Sequence, residues 1–265
     1  MAQQSGYGKA GKKGPSGRSY RNATGQTRQP KKMRGRKVSS QRWLTRQLND
    51  PFVAEARSRG FRSRAALKLE QMDDRFQLLQ PGMAIVDLGC APGGWLQVSS
   101  LRTKLGMGKA RLVGIDLLET DRIEGADIFT GDITDPEMLE KVRAAVGGAA
   151  DGVLSDMAAD TTGHRSTDHL RTTALLEVAL DFSLEILNPN GFFLAKCFRG
   201  GAEKLLLDLM RRNFRVVRHV KPAASRSESV ESYVLAIGFH GIGRAKDLVA
   251  DVEAVRRDSD GMIIG

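Results

Sequence analysis

Four short apolar runs of this chain end in or beside an aspartate. Ala84-Ile85-Val86-Asp87 is the first and Arg111 to Asp116 the second. A third, around Asp127-Ile128-Phe129, leads to Gly131-Asp132, and Gly152-Val153-Leu154-Ser155-Asp156 is the fourth. A fifth run, Gly191 to Phe198, carries Lys196 near its end. One such aspartate is ordinary turn chemistry. Four at corresponding places predict convergence on one crevice, because open α/β sheets bind ligands beyond the carboxyl ends of their strands.

The first run passes into Asp87-Leu88-Gly89-Cys90-Ala91-Pro92-Gly93-Gly94-Trp95. Glycines there let backbone approach a ligand closely. The spacing is neither GxGxxG nor GxxxxGK[ST], which disfavours a dinucleotide turn and a phosphate-cradling loop. A glycine-rich turn after strand one, with Asp116 at the end of strand two, suits a nucleoside whose ribose hydroxyls the carboxylate accepts. Asp132, after strand three, is placed to reach an adenine. A nucleoside without phosphates points to S-adenosylmethionine (SAM). A bare strand-to-helix turn explains the glycines but not the Trp95 directly behind them.

Other chemistries fall away. The four histidines, His164, His169, His219 and His240, have no ligand spacing such as HExxH, and no CxxC pair exists, so no metal site is expected. Cys90 and Cys197 read as small buried hydrophobes rather than nucleophiles. Neither lies in the Pro-Cys dipeptide of base-carbon methylation, and the Asp/Asn-Pro-Pro-aromatic motif of amino-group methylation is absent. Both absences favour methyl transfer to oxygen.

The elements that must hold these residues alternate from Pro81 onward. Helical patterns at about 94–104, 135–146, 168–188 and 201–212 separate the five runs and precede strands near Val216–Val220 and Ser232–Phe239. Such alternation predicts a parallel sheet covered on both faces. Ahead of it, Ser63 is the expected N-cap of a helix reaching about Phe76, with Ala65, Leu69, Met72 and Phe76 on one face. Lys68 lies at the margin of that face, either as a snorkelling stem or as an amine aimed into a cleft. Trp43 to Arg59 reads as short helices broken around Asn49-Asp50-Pro51.

Charge divides the chain. It has 265 residues and a net charge of +10. Thirteen of its 41 basic residues precede the first acidic one, Asp50, leaving 28 basic against 31 acidic residues from there on. Residues 1–40 contain no Leu, Ile, Phe or Trp, so they are expected to stay disordered, as a basic arm that contacts RNA phosphates, with Tyr7 and Tyr20 available for stacking. The domain proper is expected over 41–242 and a polar tail over 243–265. No apolar run approaches a membrane span, and the amino-terminal segment has no apolar core of a secretory signal, so a cytoplasmic protein is expected.

Several segments together are similar to the FtsJ/RrmJ (RlmE) ribosomal RNA 2′-O-ribose methyltransferases: DLGCAPGGW at Asp87–Trp95, SDMA at Ser155–Ala158, SRAALKL at Ser63–Leu69, AKCF at Ala195–Phe198 and VESYVLA at Val230–Ala236. The resemblance runs from about Trp43 to Gly241. It implies a Rossmann-like SAM-dependent fold, α/β, with a seven-stranded, mostly parallel sheet, helices on both faces and an antiparallel last strand. It implies a catalytic tetrad of Lys68, Asp156, Lys196 and Glu231, and SAM contacts at Gly93, Trp95, Asp116, Asp132 and Asp156. It further implies a substrate, a uridine ribose of the A-loop in 23S rRNA of the large ribosomal subunit; a monomer is expected. One departure stands: the family segment continues Pro-Asn after SDMA, where this chain has Ala159-Asp160.

The residues themselves are consistent with that tetrad. Asp156 and Lys196 end neighbouring parallel strands, and Glu231 starts a strand whose beginning reaches the same edge if it runs antiparallel. A ribose 2′-hydroxyl is a weak nucleophile, so the site must align it and take its proton. Lys196 is the candidate general base, or at least the group orienting the 2′-oxygen. A lysine serves as a base only where burial and a like charge offset nearby carboxylates. Two other readings remain: a 2′-O-methyltransferase acting on tRNA or an mRNA cap, and a non-catalytic RNA-binding ribosome-assembly factor. A nicotinamide oxidoreductase is disfavoured by the missing GxGxxG.

Overall fold

The computed structural model describes residues 45, 48–159, 162–198, 204–226 and 229–241. The expected basic arm, the tail from 243, Tyr7, Tyr20, Trp43 and Asp160 lie outside them. The chain divides into two compact units, Met1–Glu55 and Ala56–Gly265. Asp50 accepts the amide of Phe52 at 3.1 Å and so caps helix α1, Pro51–Ser58, with proline at its first position.

The second unit holds a sheet flanked by helices. In chain order it runs α2 (Ala65–Phe76), β1 (Ala84–Leu88), α3 (Gly94–Thr103), β2 (Arg111–Asp116), β3 (Asp127–Thr130), α4 (Pro136–Val146), β4 (Ala150–Ser155), α5 (Arg165–Ile186), β5 (Leu187–Phe198), α6 (Lys204–Asn213), β6 (Phe214–Val220) and β7 (Glu231–Phe239). The seven strands lie in the order β3-β2-β1-β4-β5-β7-β6. β1 to β5 pair in parallel, while β7 runs antiparallel to both β5 and β6. This is the expected α/β sheet with its reversed last strand.

Side-chain alternation sorts the core into two layers. Ile85, Leu112, Leu154, Leu194 and Leu235 pack with α2 and α3 through Ala66, Leu69, Met72, Trp95 and Leu96. Val86, Val113, Val153, Phe193 and Val234 face α4, α5 and α6 on the other side. Strands buried on both faces are the reason the runs read as continuously apolar. The same alternation places Lys196 two residues past Leu194, and Tyr233 two before Leu235, on the α2–α3 side.

Local chemistry sets the ends. Asp135 caps α4 by accepting the Glu137 amide at 3.0 Å, and Gly147 ends it at a φ of +91°. The start of α2 differs from expectation. Arg64, not Ser63, occupies the cap position, with no side-chain cap, and the Ser63 hydroxyl is buried without a hydrogen-bond partner among the described residues. Close packing turns that hydroxyl aside: a Cβ on Gly94 would lie 2.5 Å from it. Helix α5 stops at Ile186, where β5 begins directly.

Candidate active site

Beyond the carboxyl ends of β1, β2, β3 and β4 lies a cavity of about 420 Å³. Gly89 and Ala91 line it from the first turn, Asp116, Leu117 and Leu118 from the second, Asp132, Ile133 and Thr134 from the third, and Asp156, Met157 and Ala158 from the fourth. The convergence expected of the strand-end aspartates holds for these three. Asp116 ends β2. Its Oδ2 accepts the Ala91 amide at 2.9 Å and its Oδ1 the Leu118 amide at 2.8 Å, fixing the carboxylate at the lip. Asp132 accepts the amide and hydroxyl of Thr134, which hold its carboxyl below the usual range.

Asp87 departs from the expectation. β1 continues through Leu88, so the pleat turns Asp87 to the face of Ile85 rather than to the crevice. It is fully buried, and neither oxygen has a hydrogen-bond partner among the described residues. Burial, and then the charges of Asp156 and Asp116, push its carboxyl well above the usual range. Gly93 and Trp95 are not in the cavity wall either. Trp95 is buried and its indole N–H donates to the Ala65 carbonyl at 2.8 Å, tying α3 to α2.

The cavity's acceptors and apolar lining fit SAM. Apolar Leu117 and Ile133 can flank a flat base, and Asp116 and Asp132 offer acceptors for hydroxyl and amino groups. Gly89 lines the cavity as bare backbone with φ at +74°, where a Cβ would come within 2.6 Å of Met157 Cγ.

At the Asp156 end of the cavity stands a cluster of charged groups. Lys196 Nζ lies 2.8 Å from Asp156 Oδ1 and donates to the Asp156 carbonyl, also at 2.8 Å. Lys68 Nζ lies 2.7 Å from Glu231 Oε1. Lys68 is 5 % exposed, which decides between its two readings: the amine turns into the cleft, not into water. The structure therefore brings Lys68, Asp156, Lys196 and Glu231 together.

Tyr233 joins the two pairs and was not foreseen. Its hydroxyl accepts from Lys68 Nζ at 3.2 Å and donates to Asp156 Oδ1 at 2.8 Å. Its ring packs on Trp95 with centroids 5.7 Å apart. Burial, and then the charges of Asp156 and Glu231, push its phenol well above the usual range, so it remains a donor to Asp156. In the β5–β7 register Lys196 stands opposite Tyr233, and Phe198 opposite Glu231. Glu231 and Tyr233 sit two apart on one face, the period that could have flagged the tyrosine. Ser225 adds a further support, donating its hydroxyl to Glu231 Oε1 at 2.8 Å.

Two lysines and two carboxylates balance in charge, as a buried group of this size requires. Burial pushes Asp156 upward, but the charges of Lys196 and Lys68 and the hydrogen bonds from Lys196 and Tyr233 outweigh it and hold the carboxyl below its usual range. Burial likewise raises Glu231, and Lys68 followed by Lys196 more than offsets it. Both acids are carboxylates at neutral pH. Cys90, by contrast, is pushed up to about 12, mainly by burial, which keeps it a thiol.

Known proteins share this arrangement of sequence. The FtsJ-like methyltransferase family model matches residues 61–239. A protein of Mesorhizobium japonicum named ribosomal RNA large subunit methyltransferase E is 52% identical over 240 residues, 87% of this chain and 90% of that one. A protein of the same name from Maricaulis maris is 56% identical over 211 residues, 80% of this chain and 74% of its own. A crystal structure described as a ribosomal RNA methyltransferase of Plasmodium falciparum superposes with a TM-score of 0.61 at 30% identity, covering 68% of this chain and all of that one. With the matched stretch spanning the cavity, both lysines and the last strand, this chain belongs to the FtsJ-like methyltransferases.

Proposed function

We propose that the protein methylates a ribose 2′-oxygen of 23S rRNA, using SAM, in the large ribosomal subunit. The observation that carries this reading is the Lys196–Asp156 pair at 2.8 Å, with Asp156 also forming the cavity wall. One residue thereby touches both the cofactor space and the proposed base.

The cavity residues divide the cofactor among them. Asp116 accepts ribose hydroxyls, Asp132 lies at the adenine end and Asp156 faces the reactive end, while Gly93 in the first turn and Trp95 in α3 support the wall from behind it. Bound there, SAM supplies an activated methyl on a sulfonium. Lys196 orients the substrate 2′-hydroxyl; taking that proton at Nζ requires the amine to have given up its own proton first. Asp156 fixes Lys196, and Lys68, held by Glu231, balances the charge of Asp156 through Tyr233. Positioning of a weak nucleophile in this way supplies much of a rate.

The names of the relatives support the rRNA substrate, and the basic residues 1–40 give a sequence-independent hold on phosphates. The finer proposal is a uridine of the A-loop, modified by a monomer in the cytoplasm. No helix among the described residues is long and apolar enough to cross a membrane.

The test is incubation with labelled SAM and large subunits from cells lacking this gene, followed by mapping of the label. Label on a single 2′-oxygen of 23S rRNA is the expected result. SAM binding without label on these subunits would redirect the reading to tRNA or an mRNA cap, and neither binding nor label to an assembly factor.

A further inference from the structure

The segment before α2 contains an arginine that the reaction does not use. Arg62 Nη1 donates to the Asp121 carbonyl at 2.8 Å and to the Pro92 carbonyl at 3.3 Å, and Nη2 donates to the Arg122 carbonyl at 2.9 Å. Its own amide donates to Gln97 Oε1 at 2.8 Å, and Gln97 returns a bond to the Gly60 carbonyl at 3.0 Å. One side chain thus ties together three stretches of backbone. Pro92 belongs to the turn after β1 and directly follows Ala91 of the cavity wall. Asp121 and Arg122 belong to the loop after β2, downstream of Leu117 and Leu118 of the same wall. The third stretch is its own, leading into the helix that carries Lys68.

We infer that Arg62 is a positioning residue of the cofactor pocket, clamping its first two loops to each other and to the lysine-bearing helix. The inference rests on the reading that the cavity takes SAM. A guanidinium is suited to this task. It is planar, permanently charged and presents donors in a fixed fork, so two neighbouring carbonyls can be held in a set geometry; an ammonium is a point charge that cannot span them. Backbone carbonyls in loops have no ladder partner and need such a donor.

Gly93 acquires a second reason from the same contact. Its φ of +100° favours glycine, and a Cβ there would also collide with Arg62 Nη1. The turn is bare where the guanidinium crosses it. A second tie joins the same two loops, Cys90 Sγ to Thr120 Oγ1 at 3.8 Å, but it is a weak thiol contact.

The clamp touches neither Lys196 nor Asp156 in any of these bonds. Its loss is therefore expected in cofactor affinity rather than in the chemical step. Arg62→Lys and Arg62→Ala, made in the full chain, are tested by titration calorimetry with S-adenosylhomocysteine, by steady-state kinetics over SAM concentration, and by thermal unfolding. The expected result is a Kd and a KM for the cofactor raised by roughly tenfold to a hundredfold in both variants, the scale for losing bonds from a charged donor. kcat at saturating SAM stays within about threefold of the parent. Arg62→Lys keeps the stem and the charge, so it carries the test should Arg62→Ala fold poorly.

Unchanged affinity in Arg62→Lys overturns the inference. So does a fall in kcat with KM unmoved, which would put Arg62 in the chemical step. If the parent protein itself fails to bind S-adenosylhomocysteine, the cofactor reading falls and takes the inference with it; parent binding with unchanged variant binding removes the clamp alone.

Discussion

The hydroxyl of Tyr233 lies 2.8 Å from Oδ1 of Asp156, the same oxygen that Lys196 holds at 2.8 Å. Asp156 is thus oriented from two sides, and the Tyr233 hydroxyl bridges it to Lys68. Tyr233→Phe removes only the hydroxyl and keeps the ring on Trp95. We expect kcat to fall by roughly tenfold to a hundredfold, matching about 1.5–3 kcal/mol for a hydrogen bond to a charged group. Affinity for S-adenosylhomocysteine should change by less than about threefold. Kinetics and calorimetry on the same preparation check both.

Lys196→Ala should abolish methyl transfer, lowering kcat by on the order of a thousandfold, the scale of lost acid–base catalysis. Cofactor binding should remain, because Lys196 is not in the cavity wall. Near-normal turnover by this variant would remove Lys196 from the mechanism.

Asp87 predicts an unusual pH dependence of stability. Folding raises its pKa, so between its unfolded and folded values the native chain binds the extra proton, and stability falls as pH rises through that window. Asp156 and Glu231 run the other way: their folded values are depressed, so their contribution is present above the unfolded values and lost only as pH falls through the folded ones. Asp87→Asn should therefore raise Tm at pH 8, by about 2–4 °C for each kcal/mol recovered. The advantage should vanish below about pH 4, where the unfolded carboxyl is protonated too. A Tm difference that does not vary with pH would contradict this.

Gly89→Ala tests the shape of the cavity. The new Cβ would meet Met157 Cγ at 2.6 Å and the Met157 backbone at 3.0 Å, on a backbone of positive φ. Met157 lines the cavity, so we expect cofactor affinity to drop by at least about tenfold along with a lower Tm. Calorimetry reads the first and thermal unfolding the second.

Deleting residues 1–40 should weaken binding to large subunits and flatten the dependence of log K on log salt, since fewer phosphate counterions are released. Filter binding across a salt series measures the slope, and an unchanged slope would make the arm irrelevant to RNA.

The strands were readable because both of their faces are buried: β2 matches its apolar run residue for residue, and the reversal of β7 followed from family likeness. The carboxylates Asp116, Asp132 and Asp156 were readable because they lie at or past strand ends. Asp87 misled because β1 runs one residue further, and that residue reverses the direction of the side chain. Ser63 misled because cap propensity is local, whereas Gly94 packs against its hydroxyl from a distant part of the chain. Tyr233 was hidden since a tyrosine in a strand looks like ordinary core. Arg62 was hidden since the backbone carbonyls that its guanidinium holds leave no trace in residue types.

The cavity wall is assembled from residues between Leu88 and Val178, while the charged cluster is completed only by Glu231 and Tyr233 on the final strand. Chains emerge from the ribosome amino-terminus first, and segments fold as they become available. The cofactor compartment therefore precedes the reactive centre during synthesis, and threading of β7 between β5 and β6 acts as the closing stitch. A truncated or stalled chain without that strand would hold the cavity wall but leave Lys68 and Asp156 without Glu231 and Tyr233.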